Sequence, residues 1–262
     1  MTDVTLSDDL SFALRLADAA DAISHARFRA SDLAVSLKPD LTEVTDADKA
    51  VETAIRDRLT VERPGDSIYG EEFGTVGDSP RQWIIDPIDG TSNFVRGVPV
   101  WSTLIALAIE GVPVLGVVSA PALGRRWWGA IGHGAFTRDI DGTVRSIRVS
   151  AVGDLAHASA SMSGLDRFET AGKLENYLTL MRRTWRTRDY SDAWPYMMVA
   201  EGIVDVAGEF GLQPYDMAAL FPIVQEAGGR LTAVSGEDGP WHGSALATNG
   251  LVHDAVKAVF AE

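Results

Sequence analysis

The sequence predicts a layered α/β fold carried by one domain over residues 1–262, and three observations lead to it. Apolar residues recur at helical spacing in the first sixty positions. Short apolar runs rich in β-branched residues, bounded by Gly and Pro, fill residues 83–149. After about Ser150, strand-like and helix-like segments alternate. An antiparallel-rich half (residues 1–150) followed by an alternating half (residues 151–262) reads as two layered units sharing one site. With 262 residues, 46% of them hydrophobic, the chain is long enough to bury a substantial core.

Leu14, Ala17, Ala20 and Ile23 lie on one face of a helix expected over residues 10–28. Lys38-Pro39-Asp40 reads as a turn. Val51, Ala54, Ile55 and Leu59 mark a second helix, entered through Thr45-Asp46-Ala47-Asp48. Residues 83–85, 103–109 and 114–120 read as buried strands, and 126–131, 135–137 and 144–149 continue an antiparallel meander. Gly132-His133-Gly134 is a hairpin-like turn rather than a nucleotide fingerprint. The second half is expected to run strand 158–162, helix 171–182, strand 184–188, helix 193–200 and strand 203–208. A helix over 216–227, stopped by Gly228-Gly229, then leads to strands at 230–233 and 245–248 and a final helix from Val252.

Composition excludes several functions. The chain has no cysteine, so disulfides, zinc–thiolate centres and thiol nucleophiles are ruled out. A net charge of −14 with no basic tract opposes a nucleic-acid partner. No apolar run approaches the roughly 20 residues that span a bilayer. The acidic, polar first nine residues do not form a signal peptide. The expectation is a cytoplasmic protein with neither membrane nor nucleic-acid partner. His25, His133, His157, His242 and His253 are scattered, with no pair at metal-ligand spacing, and Met197-Met198 and Trp127-Trp128 read as packing.

Chemistry concentrates in Asp86-Pro87-Ile88-Asp89-Gly90-Thr91, directly after an apolar strand. Proline fixes φ and favours a sharp turn. Two carboxylates three residues apart across that turn can converge on one point with a backbone carbonyl between them, an oxygen set suited to Mg²⁺. A short helix opening at Gly90-Thr91 would point free N–H groups at an anion. The hexapeptide by itself is equally compatible with a capped turn. Gly70-Glu71-Glu72-Phe73-Gly74 taken alone reads as a solvated loop. Asp216, after Gln213-Pro214-Tyr215, and Asp48 taken alone read as helix caps.

Together these elements resemble the inositol monophosphatase-like, lithium-sensitive magnesium phosphatases. That signature is a Gly-Glu-Glu loop, a strand ending in Asp-Pro-Ile-Asp-Gly-Thr-x-Asn-Phe, and a distant Tyr/Trp-Asp before a helix ending Glu-Ala-Gly-Gly. Here the matching residues are Gly70-Glu71-Glu72, Trp83 through Phe94, and Tyr215-Asp216 through Glu226-Ala227-Gly228-Gly229, in the same order over nearly the whole chain. The resemblance implies an αβαβα sandwich and a phosphomonoesterase using two or three Mg²⁺ per site. Glu71, Asp86 and the Ile88 carbonyl would hold one ion; Asp86, Asp89 and Asp216 would hold a second, with Asp86 bridging. Thr91 and Asp48, with Glu71, would activate the attacking water, and the amides of Gly90 and Thr91 would cradle the phosphate. It also implies a homodimer. The bound cations would offset the carboxylates that otherwise repel an anionic substrate. Every expected ligand is present, which argues against a catalytically silent scaffold.

Within the family, Pro214-Tyr215-Asp216, the acidic Asp192 and the stretch Arg96 to Leu107 resemble the histidinol-phosphate phosphatase branch, especially its actinobacterial members. One position departs from the branch: Ser92 stands where it usually has Lys. A histidinol phosphate substrate of histidine biosynthesis carries an ammonium and an imidazole, for which Asp192 and Glu209 are natural partners, with Arg188 as a further substrate contact. The alternative is inositol 1-phosphate or a broad range of sugar phosphates. For Asp192 the plain alternative is an N-cap of the helix beginning at Ala193.

Overall fold

The computed structural model describes residues 3–39 and 41–261, so Asp40 of the expected turn lies outside the described residues. Helix α1 (Asp3–Arg27) leads through a hairpin of β1 (Val35–Leu37) and β2 (Glu43–Thr45) to helix α2 (Asp46–Glu62). Strands β3 (Ser67–Gly70), β4 (Gly74–Val76) and β5 (Arg81–Asp89) precede a short helix, α3 (Thr91–Arg96). The meander β6 (Ser102–Ile109), β7 (Val112–Ala120), β8 (Arg125–Ala130), β9 (Gly134–Arg138) and β10 (Val144–Ser146) completes the first half. The second half runs β11 (Ser159–Met162), α4 (Leu165–Thr170), α5 (Leu174–Arg183), β12 (Arg186–Thr187), α6 (Trp194–Ala200) and β13 (Val206–Phe210). It closes with α7 (Pro214–Met217), α8 (Leu220–Glu226), β14 (Arg230–Thr232), β15 (Ser244–Thr248) and α9 (His253–Ala261).

Two sheets organise these elements, an eight-stranded one ordered β10-β9-β8-β7-β6-β5-β3-β4 and a five-stranded one ordered β12-β11-β13-β15-β14. The larger sheet is antiparallel except where β3 runs parallel to β5. Three apolar clusters stack the elements into five layers. Phe12, Leu16, Val51 and Ile55 of α1 and α2 pack on Trp83, Ile85, Ile105 and Val117 of the large sheet. Its other face, with Ile84, Leu104 and Val118, meets Met197, Leu220 and Ile223 of α6 and α8, which in turn cover Ala207, Ala245 and Ala247 of the smaller sheet. Val206 and Leu246 on the far face of that sheet pack against Phe168, Leu180, Val256 and Phe260. The order is α, β, α, β, α, as the resemblance implied.

This layering explains the continuous apolar run at 83–85. Both faces of β5 are covered, so neither side-chain parity is free to be polar. Close packing also dictates glycines. A Cβ on Gly116 of β7 would stand 2.0 Å from the Ala219 carbonyl oxygen, where the α7–α8 segment crosses the sheet.

Several boundaries differ from the sequence reading. Helix α1 already begins at Asp3. Strands β1 to β4 carry no usable apolar alternation, being three or four residues long, with β1 exposed throughout. The helix expected over 171–182 is two helices, because Gly172 takes φ +68° between α4 and α5. The helix expected over 216–227 divides between α7 and α8. The strand expected over 203–208 lies at Val206–Phe210, and that over 184–188 shrinks to Arg186–Thr187.

Candidate active site

In a regular strand Asp86 and Asp89, three residues apart, would face opposite sides of the sheet. They do not here, because the β5–β6 register shifts between them: Asp86 opposes Leu104 and Asp89 opposes Ser102, leaving one extra residue on β5. This bulge turns both carboxylates to one side. The Thr103 hydroxyl pins it by donating to the Pro87 carbonyl at 2.8 Å. Carboxylate oxygens of Asp86, Asp89 and Asp216 then lie within 4.8 Å of one another.

Asp89 and Asp216 are each held through Oδ2. Asp89 Oδ2 accepts from the Ala193 N–H at 2.7 Å, so Asp89 caps the start of α6 from a distant strand. Asp216 Oδ2 accepts from the Gln213 N–H at 2.7 Å, the back-bond of a third helical position rather than an N-cap. Asp86 is 2% exposed, and its Oδ1 is buried with no hydrogen-bond partner among the described residues. A buried, unpartnered carboxylate oxygen facing two more carboxylates fits a hard divalent cation better than any neutral filling.

Glu71 enters across the parallel pair: its N–H donates to the Ile85 carbonyl at 3.2 Å, beside Asp86. Buried Glu52 of α2 shapes this turn by accepting from the Glu72 and Phe73 N–H groups at 2.7 and 3.2 Å. A Cβ on Gly70 would meet Glu52 Oε1 at 2.0 Å, which is why the loop begins with glycine. The Lys38 ammonium lies 2.8 Å from Glu71 Oε1 and 2.7 Å from Glu72 Oε1.

Asp48 is fully buried as the third residue of a capping box, with Thr45 as the N-cap. Its Oδ2 accepts from the Thr45 hydroxyl and N–H at 2.5 and 2.8 Å. Its Oδ1 lies 3.1 Å from the Thr91 hydroxyl, which is also 3.0 Å from the Ile88 carbonyl oxygen. Gly90, at φ +86°, places α3 beside this pair, and first-turn N–H groups have no acceptor within a helix.

The remaining wall of the cavity comes from the second half of the chain. Ser191 and Asp192 both take positive φ, +70° and +52°. Asp192 does not cap α6. Its Oδ2 accepts from Asn93 Nδ2 at 2.6 Å and from the Ser191 hydroxyl at 2.8 Å. A Cβ on Gly90 would lie 2.8 Å from that same oxygen. Glu209 is 8% exposed, with Oε1 3.1 Å from Arg167 Nη1. Arg188 is exposed, donates to the Thr187 carbonyl at 2.6 Å and is not among the residues lining the cavity, so the structure does not place it with Asp192 and Glu209.

All the other expected residues apart from Asp48 line one cavity of about 890 Å³. Eight carboxylates line it against three cations, Lys38, Lys49 and Arg167, so an anion would be repelled unless further cations bind. Burial, then the charges of Glu71, Asp89 and Asp216, push the Asp86 carboxyl well above the usual range. Burial, then Asp192 and Asp216, do the same to Asp89, against the Ala193 N–H. Asp216 is pushed up to about 6 by burial, with the Gln213 N–H opposing. Glu209 rises to about 8, again by burial, with Arg167 opposing and Asp192 and Asp216 adding to it.

Sequence reasoning missed Lys38, Glu52, Asn93, Arg167 and Tyr196. Glu52 left one signal, a charge beside the buried Val51–Ile55 stripe. The Tyr196 hydroxyl, at the cavity wall, is buried without a partner among the described residues. The histidines stay outside this chemistry. His253 is enclosed between Thr232 and Thr248, and its pKa is lowered to about 4, first by burial and then by Arg230 and Lys257.

Comparison with known proteins agrees with this geometry. The model of the inositol monophosphatase family matches residues 5–261. A histidinol-phosphatase of Streptomyces coelicolor is 55% identical over 251 residues, covering 94% of each chain. One from Mycobacterium tuberculosis is 54% identical over 251 residues, covering 95% of this chain and 96% of that one. Among solved structures, an inositol monophosphatase from Zymomonas mobilis superposes with a TM-score of 0.85 at 33% identity, covering 98% of both chains. With the layer order, the bulged double-aspartate strand and the match over nearly its whole length, the chain belongs to the inositol monophosphatase family.

Proposed function

We propose that this protein is a Mg²⁺-dependent phosphomonoesterase that hydrolyses L-histidinol phosphate to L-histidinol and phosphate, a step of histidine biosynthesis. The observation that carries the substrate is Asp192. It adds a carboxylate to the wall that already holds Glu209, with its Oδ2 beside Gly90 and Asn93. A neutral polyol gains hydrogen bonds but little from the second charge there, whereas an ammonium and an imidazolium gain ion pairs. The names of the two relatives above support the same reading. Inositol 1-phosphate is the second reading, favoured by the superposition on an inositol monophosphatase.

Glu71, Asp86 and the Ile88 carbonyl would hold one Mg²⁺, and Asp86, Asp89 and Asp216 another; these are oxygen donors only, as that ion requires. When bound, the ions supply charge neutralisation and activation of the attacking water. The chain's own part is proton handling and positioning. Three hydrogen bonds reach Asp48, two of them from Thr45, and keep its Oδ1 aimed at Thr91. When Thr91 donates to Asp48, its own oxygen can accept a hydrogen bond from water near the phosphorus, and a proton taken from that water is matched by the Thr91 proton passing to Asp48. The N–H groups of Gly90 and Thr91 would bind the phosphate oxygens, with Asp192 and Glu209 orienting the leaving alcohol. We also propose a homodimer working in the cytoplasm; among the described residues no helix is long and apolar enough to cross a membrane.

Purified enzyme assayed with Mg²⁺ on histidinol phosphate, inositol 1-phosphate and glycerol 2-phosphate tests the assignment. Histidinol phosphate should give the highest kcat/KM by at least about tenfold. A preference for inositol 1-phosphate would reject it.

A further inference from the structure

We propose that Arg167 is a displaceable internal counter-ion: in the free enzyme it occupies Glu209, it yields that carboxylate to a cationic group of the substrate, and it reclaims it as the product leaves. The inference rests on the reading of a cationic substrate given above.

How Arg167 is attached distinguishes it from a structural arginine. Its contacts with Glu209 Oε1 (3.1 Å), the Phe210 carbonyl (3.2 Å) and the Gly211 carbonyl (3.4 Å) all come from one nitrogen, Nη1. The side chain is 46% exposed, on a six-residue helix that follows Gly164. Arg126, in the same protein, is 3% exposed and uses Nε, Nη1 and Nη2 on Ser119, Asp18 and Asp21. An arginine held by one corner and half in water gives up its partner at low cost; one gripped by its whole fork does not.

Glu209 supplies the other half of the argument. It is buried, its neighbours Asp192 and Asp216 are acidic, and Arg167 is the one cation the described structure pairs with it. A buried carboxylate is costly without a counter-charge or a proton, and the guanidinium 3.1 Å away is the counter-charge Glu209 has when no substrate is bound. The product poses the opposite problem. L-Histidinol keeps both basic groups after the phosphate is gone, and a cavity with eight carboxylates would retain it. A tethered guanidinium competing for Glu209 offsets that retention without contacting the phosphate.

Calorimetric titration of L-histidinol into Mg²⁺-loaded wild type, R167Q, E209Q and the double variant tests this. R167Q removes the charge together with the reach of the guanidinium. R167Q should bind L-histidinol about fivefold tighter and be inhibited by it correspondingly more strongly, while its affinity for inorganic phosphate stays within about twofold. E209Q should bind L-histidinol more weakly, and adding R167Q to it should change nothing further. Unchanged or weaker binding in R167Q, or tightening that persists in the double variant, overturns the proposal. Parallel changes in phosphate affinity would mean that Arg167 merely shapes the wall, and would also overturn it. If wild type neither binds L-histidinol nor hydrolyses its phosphate, the substrate reading fails and takes this inference with it.

Discussion

Asp89 does two jobs. Its Oδ2 caps α6 through the Ala193 N–H, and the carboxylate also lies within 4.8 Å of those of Asp86 and Asp216. Asp89→Asn separates them, because the amide oxygen can still accept from Ala193 while the negative charge is gone. Turnover at saturating Mg²⁺ should fall by at least about 10³-fold, as expected when charge stabilisation in the transition state is lost. The ion-free protein should melt a few degrees higher, since a carboxyl pushed well above its ordinary range by burial and like charges opposes folding. Assays paired with melts in EDTA check both outcomes. Near-wild-type turnover would remove Asp89 from the site.

At the scale of the element, the bulge in β5 is the decisive feature. It lets one strand send Asp86 and Asp89 to the same side, and a single buried hydroxyl, that of Thr103, ties its Pro87 carbonyl to β6. Thr103→Val keeps the shape and removes the tie. The loss of that buried bond should cost about 1–2 kcal/mol of stability. It should lower kcat about tenfold through slackened carboxylate positions, with much less effect on KM. Unaltered kcat in a correctly folded variant would mean that proline and the register alone hold the bulge. Ser191 and Asp192 form a second such device, with consecutive positive φ angles maintained by Asn93 and the close approach of Gly90.

For the whole molecule, the sheets gather carboxylates faster than the chain supplies cations, and pH reports the result. Asp216 and Glu209 are raised to about 6 and about 8, above their ordinary 3.8 and 4.5. The folded ion-free protein therefore holds protons that the unfolded chain releases, and these groups take away stability as pH rises through 6 and 8. His253 acts at the other end. Its pKa is lowered from 6.5 to about 4, so the unfolded chain takes up a proton first, and stability falls as pH drops from 6.5 towards 4. In EDTA the melting temperature should fall from about pH 5 to about pH 8.5, by several degrees in all, with His253 offsetting part of the loss below its ordinary 6.5 and Mg²⁺ restoring most of the alkaline loss. Scanning fluorimetry across pH, with and without Mg²⁺, measures this. A flat alkaline limb in EDTA would show that the carboxylates are not mutually destabilising.

The sequence by itself determined helices α1 and α2 and the central strands, and its resemblance to the family singled out the candidate metal ligands. The elements rest on local chemistry: 3.6-residue periodicity in α2 and unbroken apolar runs in strands covered on both faces. Strands of three or four residues such as β1 and β4 were not legible, because their pairing comes from partners rather than from their own pattern. Only the tertiary structure decided what each carboxylate touches. Register, not spacing, brings Asp86 beside Asp89. A helix packed against the loop makes Glu52 the frame for Glu71, and layer stacking carries Asp216 from 130 positions away into the same cluster. It also set Arg188 aside and put Arg167 on Glu209. A side chain that works at the end of a flexible stem depends on which surface folds up beside it, and no local pattern in the chain encodes that.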